Sequence, residues 1–176
     1  MNIPMTIHAR QVLGDCERLL DAMPADMATV LWRPRWVGLV ALLRAVGHVL
    51  EKVDGKADDT ARKAIEAAWE GLRRSKPEPS IFWDFIDAER NNVLKAYEIG
   101  SGVNITVRPG TGWSNLATGE SGSGPSGPAT FEGFMRSGPF QGQDPLELCR
   151  EAVRFWRAYL DTIDRQIAAG RAGPAV

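Results

Sequence analysis

This chain is poor in the residues that most often carry chemistry or staple a fold. Only two cysteines and two histidines occur among its 176 residues. Cys16 and Cys149 both fall on apolar helix faces. They read as small core residues in a reducing cytoplasm, not as a disulfide or a metal pair. With His8 and His48 alone, a histidine-rich metal site is not expected, and no cofactor is called for. An excess of one charge is missing too. The 21 basic and 22 acidic side chains nearly cancel, which removes the global electrostatic footprint of a nucleic-acid binder and leaves only a local basic patch open. No apolar run is long enough to span a bilayer. Met1-Asn2-Ile3-Pro4-Met5 lacks the charged start and apolar core of a signal peptide. The expectation is a cytoplasmic protein with no membrane partner.

What the chain does hold is enough apolar content, 44%, for one domain over residues 1–176 with a real core. A first helix is predicted from about Thr6 to Met23, with Val12, Leu13, Cys16, Leu19 and Leu20 on its stripe and Pro24 ending it. Pro34 suits the first turn of a second helix that reaches about Val53, with Leu39, Val40, Leu43, Val46, Gly47 and Leu50 inward. Arg44, His48 and Glu51 form a polar stripe beside them. Asp58 to Arg74 reads as a third helix carrying Ala61, Ile65, Trp69 and Leu72. Ser80 is placed to cap a fourth. Val103 to Arg108 alternates like a strand, and residues 130–136 read as its hairpin partner. Between them, residues 109–128 form a loop rich in glycine, serine and proline. Asp144-Pro145-Leu146-Glu147 opens the last helix, whose face carries Cys149, Ala152, Val153, Trp156, Leu160, Ile163 and Ile167. The fold class is therefore mainly α: an up-down bundle of about five helices with a small β-hairpin before the last.

The most informative stretch is Ile81 to Tyr97. At 100° per residue, Phe82, Phe85, Ile86, Val93, Ala96 and Tyr97 share one face. Glu89 falls near the middle of that face, with Arg90 on its shoulder. A carboxylate there is costly unless it is paired or opens on a wet cleft. This helix is expected either to hold a structural ion pair or to line a site.

Arg90-Asn91-Asn92-Val93-Leu94-Lys95-Ala96-Tyr97 resembles the signature of HEPN-domain proteins, small helical bundles of which many are metal-independent ribonucleases in toxin–antitoxin and phage-defence systems. Their motif is an arginine, a polar residue, then a histidine four to six positions on, and one branch adds a tyrosine two further. Arg90, Asn91 and Tyr97 match by spacing, while Lys95 stands where the histidine belongs. The resemblance implies a bacterial, RNA-directed protein with Arg90, Lys95 and Tyr97 as catalytic candidates and a site at a homodimer interface.

The substitution matters chemically. Metal-free RNA cleavage needs a group to take the proton of the 2′-hydroxyl. Histidine does this near neutrality, whereas lysine, with a pKa of about 10.4, is already protonated. Lys95 can hold phosphate as a point charge, and Arg90 can grip it with two parallel hydrogen bonds. Positions five apart on an ideal helix point about 140° away from each other, so one shared site needs two subunits or a distorted helix. His48 is a stand-in for the missing histidine if the second and fourth helices lie side by side. The expectation is an RNA-associated bundle with little or no catalysis. The alternative is a non-enzymatic protein that binds a partner or a second copy of itself. In that case Glu89 and Arg90 belong to a structural polar network.

Trp32, Arg33, Arg35 and Trp36 form an aromatic and basic cluster. Arg33, Arg35 and Trp36 are candidates for stacking bases and holding phosphates, against a reading in which the tryptophans anchor a helix start and the arginines reach past them to water. The glycine-rich run at residues 119–127 lacks the Gly-Lys-Ser/Thr ending of a phosphate loop. Asp84, Asp87, Glu89 and Glu98 spread around one helix with no Glu-x-x-His pair, so a metal-dependent hydrolase is not expected.

Overall fold

A computed structural model describes residues 5–24, 29–107, 112–114, 121–123 and 129–172. Helices α1 (Ile7–Asp21), α2 (Trp32–Lys52) and α3 (Asp59–Arg74) lie where the apolar periodicity puts them. The fourth helix is built from three consecutive segments: a π-helical Ile81–Asp87, the α-helical Ala88–Asn91 (α4) and a second π-helical Asn92–Ala96. The long α5 (Pro145–Ala172) closes the bundle. α5 packs on α1, α3 and the start of the fourth helix, and α2 packs on α1. The architecture is a mainly α bundle with a β-hairpin inserted before the last helix.

That hairpin pairs β1 (Ser101–Val107) antiparallel with β4 (Ala129–Met135), in the register Ser101 to Met135. Within the glycine-rich segment, β2 (Gly112–Ser114) and β3 (Ser121–Ser123) form a short antiparallel ladder of their own. The rest of the expected loop at 109–128 lies outside the described residues.

The helix ends show how distant carboxylates complete local structure. The first amides of any helix lack partners inside it. In α1, Thr6 makes no side-chain cap. Instead Asp54, buried in the turn after α2, accepts from the amides of His8 (3.1 Å) and Ala9 (2.9 Å) and contacts the His8 ring nitrogen at 2.8 Å. Asp164 of α5 accepts from the amides of Met5 and Thr6 and pairs with Arg10 at 2.7 Å. Asp58 caps α3 by accepting from Ala61 N–H at 2.8 Å. The expected Ser80 cap does not form. Ser80 already has helical backbone angles, and its amide donates to the Glu78 carboxylate. Asp144 accepts from Leu146 N–H, while Glu147 turns outward to Arg150 and Arg154.

The core is one continuous cluster, with an aromatic centre where α3, the fourth helix and α5 meet. Trp156 is fully buried. It meets Trp69 and Phe82 edge-on at 6.3 and 5.7 Å, the arrangement favoured by the ring quadrupole. Gly47 lets α2 approach this centre, because a Cβ there would lie 2.8 Å from the Trp156 ring. Cys16 and Cys149 are buried free thiols. Burial pushes the Cys16 thiol up to about 12 and the Cys149 thiol well above its ordinary value.

Candidate functional site

Glu89 is buried as its place on the apolar face requires, at 3% exposure, but it has no cationic partner among the described residues. Its Oε1 accepts from the Trp36 indole N–H (3.0 Å) and from the Gly100 backbone N–H (2.9 Å). Gly100 is glycine because any side chain would collide with that carboxylate. The acid therefore ties three elements together: the start of α2, the fourth helix and the lead into β1. Of the two expectations for this helix, a structural ion pair at Glu89 is not the one seen among the described residues, since Arg90 bonds Asn91 instead.

Arg90 is half-buried and joins a polar row between α2 and the fourth helix. Its Nη1 donates to Asn91 Oδ1 at 3.0 Å, and Asn91 Nδ2 donates to Asp87 Oδ2 at 3.4 Å. Asp87 Oδ1 in turn accepts from Arg44 Nε of α2 at 2.9 Å. Arg44 is neutralised by Asp87, whereas Arg90 pairs with no acid among the described residues. His48 lies one turn beyond Arg44 on α2 and is exposed. Its pKa is lowered from 6.5, first by partial desolvation, then by the positive charges of Arg44 and Arg90. The imidazole is thus neutral around pH 7, the form that accepts a proton. A cleft of about 300 Å³ opens at the Arg44–Asp87 pair, walled also by Glu51, Arg73 and aromatic rings; its lining includes neither His48 nor Arg90.

The other two motif residues lie apart from this row. Lys95 is exposed. Ala96 and Tyr97, expected on the apolar face, are exposed as well, Tyr97 at 59%. The reason is the π-helical winding of Asn92–Ala96, which places more residues in each turn than the 3.6 assumed and rotates the last side chains off the buried stripe. Tyr97 then ends the helix in a left-handed conformation (φ 53°). No hydrogen bond or ion pair joins Arg90 to Lys95 or Tyr97 among the described residues. Instead Tyr97 is met by Arg33, whose guanidinium sits 4.4 Å from the ring centroid and donates to the Tyr97 carbonyl at 3.2 Å.

The Trp32–Trp36 cluster separates in the same manner. Trp36, a candidate for stacking bases, is wholly buried, as in the reading where the tryptophans anchor a helix start. It is stacked on Trp32 at 5.1 Å and bonded to Glu89, so no base can reach it. Arg35 donates to the Ala22 carbonyl and fastens the end of α1. Arg33 alone faces open space, on a second cleft of about 630 Å³ whose lining includes Trp32, Tyr97, Ser101 and Arg136. Neither Ser101 nor Arg136 stood out in the sequence. They lie side by side at the root of the hairpin, since Ser101 pairs with Met135, and the 35 positions between them hide this in the sequence.

No group of three or more potential metal ligands occurs among the described residues, and no described helix is long and apolar enough to cross a membrane. No family model, no curated protein and no solved structure matches the chain.

Proposed function

We propose that this protein is a HEPN-like helical bundle that associates with RNA through the face carrying Arg90, with at most weak metal-independent cleavage, in a bacterial defence or toxin–antitoxin setting. The observation that carries this reading is the half-buried Arg90 guanidinium, which bonds Asn91 and meets no acid among the described residues, while its charge helps to lower the pKa of His48 on α2. Arg90 supplies a phosphate clamp, and His48 supplies the proton acceptor that Lys95 cannot. Among the described residues Arg90 and His48 have no positioned acid for the leaving oxygen beside them, so turnover is expected to be weak. Lys95 and Tyr97, on other faces of the same helix end, contribute only if a second copy brings its own surface to them.

The test is binding and cleavage of single-stranded RNA by the purified chain. Arg90→Ala is expected to weaken RNA binding several-fold, and His48→Ala to leave binding but lower any cleavage by about 100-fold. The rate should stay level above neutral pH and fall on an acid limb whose midpoint lies below the usual imidazole value of about 6.5, because only neutral His48 accepts the proton. RNA binding that is absent, or indifferent to Arg90→Ala, would end this reading. Binding without cleavage would leave the associating form alone.

A second reading, partner binding without catalysis, is favoured by one observation. Val30, Leu31, Leu94 and Tyr97 are all more than half exposed, and each lies within three positions along the chain of Arg33 or Tyr97, which touch. Clustered apolar exposure of this kind marks interaction surfaces.

A further inference from the structure

The cleft at the Arg44–Asp87 pair is walled by two further charged groups that do not meet. Arg73, near the end of α3, is exposed and makes no hydrogen bond or ion pair among the described residues. Glu51 of α2 is bonded to Lys52, its neighbour in sequence, through Oε1 at 2.7 Å, and its Oε2 accepts from no described residue. The Lys52 bond, with the charge of Arg73 a weaker contributor, holds the Glu51 carboxyl below its usual range. Glu51 is therefore an ionised acceptor at neutral pH. It stands within electrostatic reach of Arg73 across one cleft, yet no ion pair closes the gap. A free guanidinium fork and a carboxylate with an open oxygen thus line the same hollow from two helices.

The rest of the lining sets the shape. Trp69 and Phe82, at 7% and 1% exposure, are closed off, while Trp83 is half-buried. Trp83 stands edge-on to Phe82 at 4.8 Å, and Lys76 lies 4.9 Å from its ring centroid. The volume of about 300 Å³ is at the small end for organic ligands and has room for one nucleobase. The carboxylates of Glu51 and Asp87 repel an anion held inside. A phosphate belongs outside the cleft, and the group that suits its interior is an uncharged polar ring.

The donors and acceptors narrow the ring further. A carboxylate offers two acceptor oxygens side by side and is matched by two adjacent N–H donors; a guanidinium is matched by two adjacent acceptors. Guanine presents N1–H beside its N2 amino group, and O6 beside N7, along one continuous edge. Adenine sets an acceptor next to its amino group, as does cytosine, and uracil has one N–H between two carbonyls. Each of these would turn a lone pair toward the carboxylate. We infer that this cleft receives a guanine base of single-stranded RNA, with Glu51 on N1–H and the N2 amino group and Arg73 on O6 and N7. The inference rests on the RNA association proposed above and adds a base preference to it. Asp87 connects the two places, since it pairs with Arg44 in the cleft and is linked through Asn91 to Arg90.

The test is titration of the full chain with octauridine and with uridine octamers carrying one central guanosine, adenosine or inosine, read by fluorescence anisotropy. Guanosine alone is tested by saturation-transfer NMR. One guanosine is expected to tighten binding by about tenfold over octauridine, and one adenosine to add nothing. Inosine, which lacks the N2 amino group, should lose most of the gain. Glu51→Gln should abolish the gain while octauridine binding and the circular dichroism spectrum stay as in the parent, and Arg73→Ala should remove most of it. Arg90→Ala should weaken every octamer alike and keep the preference. Octamers that all bind equally would overturn this inference and leave the RNA reading standing. A guanosine gain that survives both Glu51→Gln and Arg73→Ala would overturn the assignment to this cleft. Saturation transfer to guanosine that Glu51→Gln abolishes, with no octamer bound, would keep the base pocket and overturn the RNA reading. No transfer and no bound octamer would overturn both.

Discussion

At the scale of single residues, Glu89 sets the geometry behind the cleft that Arg33 lines. A buried carboxylate is ordinarily tolerated because a cation answers it. Here two neutral N–H donors do so, one from a side chain and one from the backbone. Glu89→Ala would strand both donors and should lower stability by about 2–4 kcal/mol, read as a shift in the denaturant midpoint. Glu89→Gln keeps an acceptor oxygen at the same place and should cost less than about half of that. If alanine proved as mild as glutamine, the tie between α2 and the hairpin would not be the structural role of Glu89. That Glu89 is buried follows from sequence periodicity, since Phe82, Phe85, Ile86 and Val93 surround it on the helical wheel and are buried too. That Trp36 and Gly100 answer it was hidden, because the partners lie 53 and 11 positions away along the chain.

At the scale of elements, the fourth helix departs from regular winding at both ends, and this explains which expectations failed. A wheel drawn at 100° per residue is right for α5, where Cys149, Ala152, Val153, Trp156, Leu160, Ile163 and Ile167 are all buried as their spacing requires. The same wheel misplaces Ala96 and Tyr97, because the winding beneath it changes after Asn91. Nothing in the side-chain pattern announces a π turn, whose extra residue is stabilised by contacts elsewhere in the fold. α1 presents a similar case, its N-terminal amides satisfied by Asp54 and Asp164 and not by a neighbour in sequence. Asp54→Ala removes an acceptor from two amides and a contact to His8 in a buried setting. It should destabilise the chain by about 1–3 kcal/mol in urea titrations. Amide exchange should quicken first over the opening turn of α1. A loss below about half a kcal/mol, with exchange unchanged there, would mean that Asp164 holds this helix end alone.

For the molecule as a whole, the open question is what covers the exposed apolar residues near Tyr97. In the partner-binding reading they meet a second copy, and the resemblance in the fourth helix implies the same arrangement. Light scattering should then give twice the chain mass, 19.3 kDa, and Leu94→Glu should return the protein to monomer without loss of helix content. A monomer at millimolar concentration would remove the dimeric form of both readings. The bundle and its inserted hairpin were readable from apolar spacing, strand alternation and turn residues. The two clefts were not, since each is assembled from side chains that only tertiary packing brings together, such as Arg44 with Asp87 and Arg33 with Tyr97.

The two sealed sulfhydryls carry a practical consequence of that packing. Cys16 sits on α1 and Cys149 near the start of α5, both without solvent exposure and both held in the unreactive protonated form. An alkylating reagent reaches either one only when the helices around it part. The rate at which each is consumed therefore times the excursions of its own end of the fold, and a difference between the two rates would reveal which helix leaves the bundle first.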